Sequence, residues 1–383
     1  MKNEKAAIFK KHFEGEPRVY RSPGRINFLG EHTDYNGGFV LPAAINKAIY
    51  VAIAPREDDQ INLYAEDYDE QFHTTLGEVK PGPRGQWSNY PLGVVDQMKQ
   101  RDAALKGFDM TIGGDIPLGA GLSSSAALEC ATAYALNDIF NLGFEKMELV
   151  KMAQKAEHTY AGVMCGIMDQ FASVMGKKDH AVKLDCRSLE YEHVPLRMDG
   201  LKVVLLNTNV KHSLASSEYN TRRAQCEKGV ALVKAYHPHV ETLRDVDQEM
   251  LDKYVKDADE VVYRRCHYVV GEAERILEAK EHLKHGEMES LGKLMYQTHD
   301  GLRQEYEVSC KELDYLVDFV RDNPNVLGAR MMGGGFGGCT INIVKEKAIE
   351  ELVANAKEAY EKDMGLPLTA YVVSVENGSE EMI

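Results

Sequence analysis

Residues 123–139 read SSSAALECATAYALNDI, and no other stretch limits the fold so tightly. Written on a helix of 3.6 residues per turn, this segment is apolar around most of its circumference, the pattern of a helix enclosed inside a domain rather than lying on one. The hydroxyls at its head are N-cap residues. Enclosing such a helix takes a large core. The chain has 383 residues, 44% of them hydrophobic and 27% charged, ordinary globular values that exclude disorder, collagen and coiled coil. At ~150 residues per domain the length corresponds to two domains or one large one.

The rest of the chain supplies the surrounding layers. Apolar positions at Ala6, Ile8, Phe9 and Phe13 predict an opening helix that stops near Gly15 and Pro17. Ile45 to Ala54, Gln60 to Tyr64 and Phe108 to Ile112 read as strands of a mixed sheet, each bounded by Pro, Gly or Asp. Further helices are expected from about Glu145 to Tyr160 and from Asp169 to Met175, separated by a loop containing Gly162 and Gly166. From Leu201 a fully apolar strand, KVVLLNT, is followed by long amphipathic helices at about Ser216 to Tyr236, Asp259 to His285 and Glu287 to Gln304. The last third alternates a helix near Lys311 to Asp322, a glycine-rich turn at 333–338, the strand CTINIV, a helix over 346–362 and the strand TAYVVSV. The expectation is an α+β chain of two closely packed domains, 1–200 and 201–383. Only the tail, ENGSEEMI, reads as solvated.

Charge and cysteine usage narrow the function. A net charge of −15 opposes broad contact with a phosphate backbone, so no nucleic-acid partner is expected. Seven cysteines spread singly, with no C-x-x-C pair, argue against a disulfide framework and a zinc site and suit a reducing cytosol. The N-terminus is charged throughout, and no apolar run approaches the ~18 residues of a membrane span. A cytoplasmic protein with no membrane partner is expected. No apolar stripe is left over for an interface, and the expectation is a monomer.

Three segments carry the chemistry. In GDIPLGAGLSSSAALE, 114–129, Gly119 and Gly121 let the backbone approach a ligand, and the hydroxyls stand at a helix N-terminus that favours an anion. It is no Walker A loop, since no Gly-Lys-Ser/Thr follows. A phosphate cradle and a plain cap after a tight turn both fit the spacing. GRINFLGEHTDYNGGFVLP, 24–42, crowds Glu31, His32, Asp34, Tyr35 and Asn36 beside Arg25, a density of donors and acceptors that suits a desolvated polyol or an ordinary polar hairpin. A transition metal at His32 lacks a second histidine at ligand spacing. In EHTYAGVMCGIMDQF, 157–171, Glu157 ends one predicted helix and Asp169 starts the next, so one carboxylate could hold Mg²⁺ while the other acts as base, or both could be solvated surface. A fourth cluster, MMGGGFGG at 331–338, contains a formal G-x-G-x-x-G, but a strand follows it and the dinucleotide-binding context is missing.

Taken in order, these segments resemble the GHMP kinase superfamily and, within it, the galactokinase family. GRINFLGEHTDYNGGFVLP is similar to the galactokinase signature, PLGAGLSSSAALE to the ATP-binding motif and ARMMGGGFGGCTI to the third motif. The likeness extends through AEHTYAGVMCGIMDQF, SSEYNTRRAQCE at 216–227 and THDGLRQEYEVSCKELD at 298–314. Met332 departs from it, standing where these kinases often have Thr. The resemblance implies two α+β domains with ATP and sugar in the cleft between them, and ATP-dependent phosphorylation of galactose at its anomeric hydroxyl. It implies Asp169 and Arg25 as the catalytic pair, and Glu31, His32, Asp34, Gly166 and Tyr219 as sugar ligands. Gly119, Ala120, Gly121, Leu122, Ser123, Ser124 and Ser125 would cradle the triphosphate. Mg²⁺ would be held by Glu157 with Ser124 or Ser125, hard oxygens that suit this ion. The same motifs admit an N-acetylgalactosamine kinase or a related anomeric sugar kinase. A non-catalytic sensor of galactose and ATP is the other alternative; such proteins can lack the Ser-Ala pair that Ser125 and Ala126 supply here.

Overall fold

The buried helix expected from SSSAALECATAYALNDI spans Ser124–Ile139 in a computed structural model that describes residues 1–117, 119–210 and 215–383. Leu118 of the PLGAGLSSSAALE segment, and the side chains of Ser216 and Ser217 in SSEYNTRRAQCE, lie outside what is described. Ala126, Ala127, Cys130, Ala131, Ala133, Ala135 and Leu136 are all fully buried. The helix is enclosed by the strands Arg18–Asn27 and Pro42–Pro55 and by the helices Asn89–Lys99, Lys146–Ala156 and Met168–Met175.

Those two strands belong to a six-stranded sheet ordered Glu380–Glu381, Arg18–Asn27, Pro42–Pro55, Phe108–Gly114, Gln60–Ala65, Glu70–Thr75. All neighbours are antiparallel except Gln60–Ala65 with Phe108–Gly114. Alternation sorts the side chains between two layers. Tyr20, Val51 and Ile53 enter the main core with the buried helix, whereas Val19, Ala52 and Ala54 pack on Phe9 of the opening helix Lys2–His12. Both faces are thus covered, and this is why PAAINKAIYVAIAP reads as a nearly continuous apolar run.

From Leu201 the chain builds an antiparallel sheet ordered Val326–Met331, Cys339–Lys345, Leu201–Asn207, Thr369–Val373. The amphipathic helices Ala215–Lys234, Glu260–His285 and Met288–Gln304 follow the predicted ranges closely. Asp259 caps the second of these by accepting from the Val262 N–H at 3.0 Å, and Gly286 ends it at φ 75°. A third sheet joins Phe39–Val40, His180–Asp185 and Tyr191–Pro195.

Two expectations need correction. The tail is not solvated: Glu380 and Glu381 pair with Arg21 and Tyr20, and Gly378 and Ser379 are buried. The helix after Glu145 ends as regular α-helix at Ala156 and continues as a π turn over Glu157–Ala161, the kind of local irregularity that often marks a functional position.

Candidate active site

A break in strand register places the first functional side chain. The pairing of Arg18–Asn27 with Pro42–Pro55 shifts between Pro23 and Arg25, and such a bulge re-aims the residue that follows it. Gly24 is required there, because a Cβ would stand 2.6 Å from the Leu122 carbonyl oxygen. The re-aimed Arg25 is 5% exposed. Its Nη1 donates to the Gly121 carbonyl at 2.6 Å, while Nε and Nη2 donate to Asp169 Oδ1 and Oδ2 at 2.7 and 3.0 Å. Burial works against the guanidinium charge, yet Asp169 and Glu31 outweigh it and raise the Arg25 pKa. Asp169 stands in the first turn of the helix Met168–Met175, and its Oδ2 also accepts from the Ser123 hydroxyl at 2.5 Å.

Ser123 was expected to cap the buried helix with its hydroxyl and does not. It takes a left-handed conformation, φ 60°, and makes no side-chain capping bond. Its hydroxyl is bound to Asp169, so the first N–H groups of a 16-residue helix have no side-chain cap, an arrangement that favours an anion.

Arg25, Glu31, His32, Asp34, Gly166, Asp169 and Tyr219 line one cavity of about 160 Å³, with Glu157, Cys165, Gly333 and Gly334 completing its wall. That is below the roughly 300–1,000 Å³ of drug-sized sites and suits a single sugar ring. Glu31 is 1% exposed and braced by three groups: it accepts from Asn27 Nδ2 and from the Gly333 N–H at 2.6 Å, and pairs with Arg330 at 3.2 Å. His32 Nδ1 meets the Tyr35 hydroxyl at 2.8 Å and Nε2 faces the Gly334 carbonyl at 3.3 Å; burial lowers its pKa to about 4. Asp34 Oδ1 accepts from the Tyr35 N–H at 2.9 Å, and burial together with Asp169 pushes its pKa up to about 7. Gly166 leaves room for that carboxylate, since a Cβ would sit 1.7 Å from Asp34 Oδ2.

Glu157 occupies the π turn and is held by neutral donors: Ser125 Oγ at 3.0 Å, Gln170 Nε2 at 2.7 Å and Cys165 Sγ at 3.5 Å. Gln170 also reaches Glu129 Oε2 at 3.2 Å. Burial and Asp169 raise the Glu157 pKa, and burial and Glu157 raise that of Glu129. A buried carboxylate crowded by other carboxylates, with a hydroxyl at its open side, is a donor set that fits a hard divalent cation.

The third glycine cluster packs backbone on backbone against the glycine loop at 119–121. A Cβ on Gly333 would lie 3.6 Å from the Gly121 oxygen, and one on Gly338 3.6 Å from the Ala120 oxygen. The strand Cys339–Lys345 follows, so the formal G-x-G-x-x-G is a turn and not a dinucleotide motif. Met332 is buried in the main core and does not line the cavity.

Sequence reasoning missed several participants. Asn27, four residues before Glu31, and Arg330 with the Gly333 N–H, both from the distant third glycine segment, brace Glu31, and only the position of Arg330 just before the glycine cluster hinted at it. A second cavity, about 190 Å³, is lined by Tyr68, Trp87, Tyr90, Ile112 and Leu128 and adjoins Ser124 and Ser125. Its aromatic wall suits a flat heterocycle. Trp87, the one tryptophan of the chain, was the available signal.

Comparison with known proteins agrees with this geometry. Residues 7–55 match the model of the galactokinase galactose-binding signature, 89–177 that of the GHMP kinases N terminal domain and 279–362 that of the GHMP kinases C terminal. The galactokinase of Thermotoga petrophila is 41% identical over 362 residues, 94% of this chain and 99% of its own. That of Clostridium acetobutylicum is 40% identical over 380 residues, 98% of this chain and 96% of its own. Among solved structures, Lactococcus lactis galactokinase complexed with galactose superposes with a TM-score of 0.95 at 35% identity, covering 99% of both chains.

Proposed function

The chain belongs to the galactokinase family of GHMP kinases and phosphorylates galactose with ATP; within that activity, we propose that the γ-phosphoryl group passes directly to the galactose 1-hydroxyl with Asp169 as the base. The observation that carries this is the Asp169 carboxylate at the wall of the sugar cavity, gripped by Arg25 through both oxygens and by Ser123.

Glu31, His32, Asp34 and Tyr219 bind the sugar ring, and the Gly166 backbone closes beside Asp34. Each polar group stranded without its sugar hydroxyl would cost about 1–3 kcal/mol in so enclosed a pocket. As the bond from the 1-oxygen to the γ-phosphorus forms, the bond from that phosphorus to the β–γ bridging oxygen breaks, ADP leaves, and the 1-hydroxyl proton moves to a carboxylate oxygen of Asp169. Arg25, hydrogen-bonded to the Gly121 carbonyl as well, ties the base to the phosphate loop and counters the charge that develops. The loop from Gly119 to Ser125 and the uncapped helix N-terminus hold the phosphates, and the aromatic cavity at Trp87 takes the adenine. Mg²⁺ would be held by Ser125 and Glu157 and would neutralise phosphate charge there. The 3.0 Å contact favours Ser125 over Ser124.

The change of sheet at Leu201 supports a division into 1–200 and 201–383, with Glu380–Glu381 returning to the first sheet. The seven free cysteines support a cytoplasmic location.

The test is ADP release with Mg-ATP and a panel of galactose, N-acetylgalactosamine and glucose, with phosphorus NMR of the product. A galactose 1-phosphate is expected. Asp169→Asn should lower turnover ~10²- to 10⁴-fold, the usual scale of general acid–base catalysis, while both substrates still bind by calorimetry. Retained turnover would remove Asp169 as the base.

A further inference from the structure

His32 is enclosed by three tyrosine rings, with centroids 4.9 Å from Tyr306, 5.3 Å from Tyr219 and 5.9 Å from Tyr35, and it is 4% exposed. From its Nδ1 a line of hydrogen-bonding groups leads away from the cavity. The Tyr35 hydroxyl is 2.8 Å from Nδ1, the Tyr306 hydroxyl 2.8 Å from that of Tyr35, and Cys226 Sγ 3.2 Å from that of Tyr306. Tyr306 and Cys226 are fully buried, and no role so far assigned uses either of them or the Tyr35 hydroxyl.

The end of this line dictates its direction. Nε2 faces the Gly334 carbonyl oxygen at 3.3 Å, an atom that can only accept. A bare Nε2 lone pair there would oppose another lone pair, so Nε2 carries the proton. A second proton on the ring is disfavoured by burial, which holds the imidazole neutral at pH 7. Nδ1 is then an acceptor, and the Tyr35 hydroxyl must donate to it. With its single proton committed, Tyr35 oxygen accepts from Tyr306, and Tyr306 oxygen in turn accepts from the Cys226 thiol. No member is left with two donors or two acceptors face to face.

We infer that the Gly334 carbonyl fixes His32 in the Nε2–H tautomer and that Tyr35 and Tyr306 are positioning residues that hold the ring in this pose by donation to Nδ1, so that this edge of the sugar pocket gives a hydrogen bond to a galactose oxygen and does not accept one. The inference rests on the reading of the cavity as the galactose site. The 3.3 Å contact with Gly334 is long for N–H···O, which leaves the Nε2 proton available for sharing with a sugar hydroxyl oxygen in the same wall. The device also joins distant segments. His32 and Tyr35 belong to the 24–42 segment, while Cys226 is on the helix Ala215–Lys234 and Tyr306 follows the helix Met288–Gln304.

The test is a nitrogen-15 spectrum of imidazole-labelled protein, with the His32 signals assigned by their loss in His32→Gln. The wild type should show an unprotonated Nδ1 and a protonated Nε2. Tyr35→Phe, which removes only the donor oxygen, should keep Nε2 protonated, move the Nδ1 signal to that of a nitrogen without a hydrogen bond, and raise the galactose KM about tenfold, with kcat and the ATP KM within twofold of wild type. Tyr306→Phe takes away the group that orients the Tyr35 hydroxyl, and should give a smaller movement of the Nδ1 signal and a smaller rise in KM. A wild-type His32 protonated at Nδ1, or a Tyr35→Phe protein with the wild-type Nδ1 signal and galactose KM, would overturn the inference. The spectrum reads the tautomer without turnover. A correct tautomer in a protein that does not phosphorylate galactose would therefore fail the substrate reading and leave the lock standing.

Discussion

The Asp34 carboxyl is pushed up to about 7 by burial and by Asp169, against about 3.9 for an unfolded aspartate. Between those values the folded chain binds more protons at this position than the unfolded chain, so the stability contribution of Asp34 falls as pH rises from about 4 to about 7. A shift of that size corresponds to about 4 kcal/mol as an upper bound, less for a half-buried side chain. Asp34→Asn carries no such charge. In urea unfolding the variant should gain ~1–3 kcal/mol on the wild type at pH 8 relative to the same comparison at pH 5, while galactose binding weakens. His32 titrates alike in both proteins and cancels from the difference. A difference independent of pH would show that Asp34 is ionised throughout. A cavity that crowds Asp34, Glu157 and Asp169 is a local cost to stability of the kind functional positions tolerate.

At the scale of elements, the glycine turn 333–338 does two jobs. It seats the Gly333 N–H on Glu31 and lays its backbone along the phosphate loop. Gly335, at φ 87°, would place a Cβ 2.1 Å from the Val308 carbonyl oxygen, whereas Gly119, at φ 72°, has open space around it. Gly335→Ala should therefore cost more than the ~1–2 kcal/mol that a left-handed alanine costs at Gly119, because backbone at Val308 has to move as well. Denaturant unfolding of the two alanine variants checks the ranking. The galactose KM should rise in Gly335→Ala, through Gly333 and Gly334. Equal losses of stability would mean that the turn yields freely and does not clamp the phosphate loop.

Across the whole molecule, the chain closes on itself through its last residues. Ser379 Oγ lies 2.6 Å from Ser22 Oγ and donates to the Ser173 carbonyl at 3.0 Å, and Ser22 Oγ is 2.9 Å from Ser173 Oγ. The Gly378, Ser379 and Met382 N–H groups donate to Gly176, Ser173 and Val19. Ser22 shares a strand with Arg25 and Ser173 a helix with Asp169, so the C-terminus staples together the two elements that carry the proposed catalytic pair. Ser379→Ala, which strands buried hydroxyls, should cost about 1–3 kcal/mol in denaturant unfolding while the galactose KM stays within twofold. Deleting 376–383 should cost more, since paired backbone is lost too. A deletion with unchanged stability would contradict the stapling.

What the sequence by itself determined is local. The wrap-around apolar pattern of 123–139 specified an enclosed helix, the amphipathic runs after Leu201 specified their helices within a few residues, and the segments bearing Arg25, Asp34, Glu157 and Asp169 were legible as site material because charge density in short motifs is read along the chain. Tertiary structure decided what depends on which surfaces meet. That Ser123 serves Asp169 and not its own helix, that Gly166 makes room for Asp34, that Arg330 braces Glu31, and that ENGSEEMI adds the pair Glu380–Glu381 to a sheet instead of trailing into solvent all follow from partners tens to hundreds of residues away. Hydrogen bonds and close packing act over a few ångströms in space, and no periodicity along the chain records which distant backbone will arrive within that range.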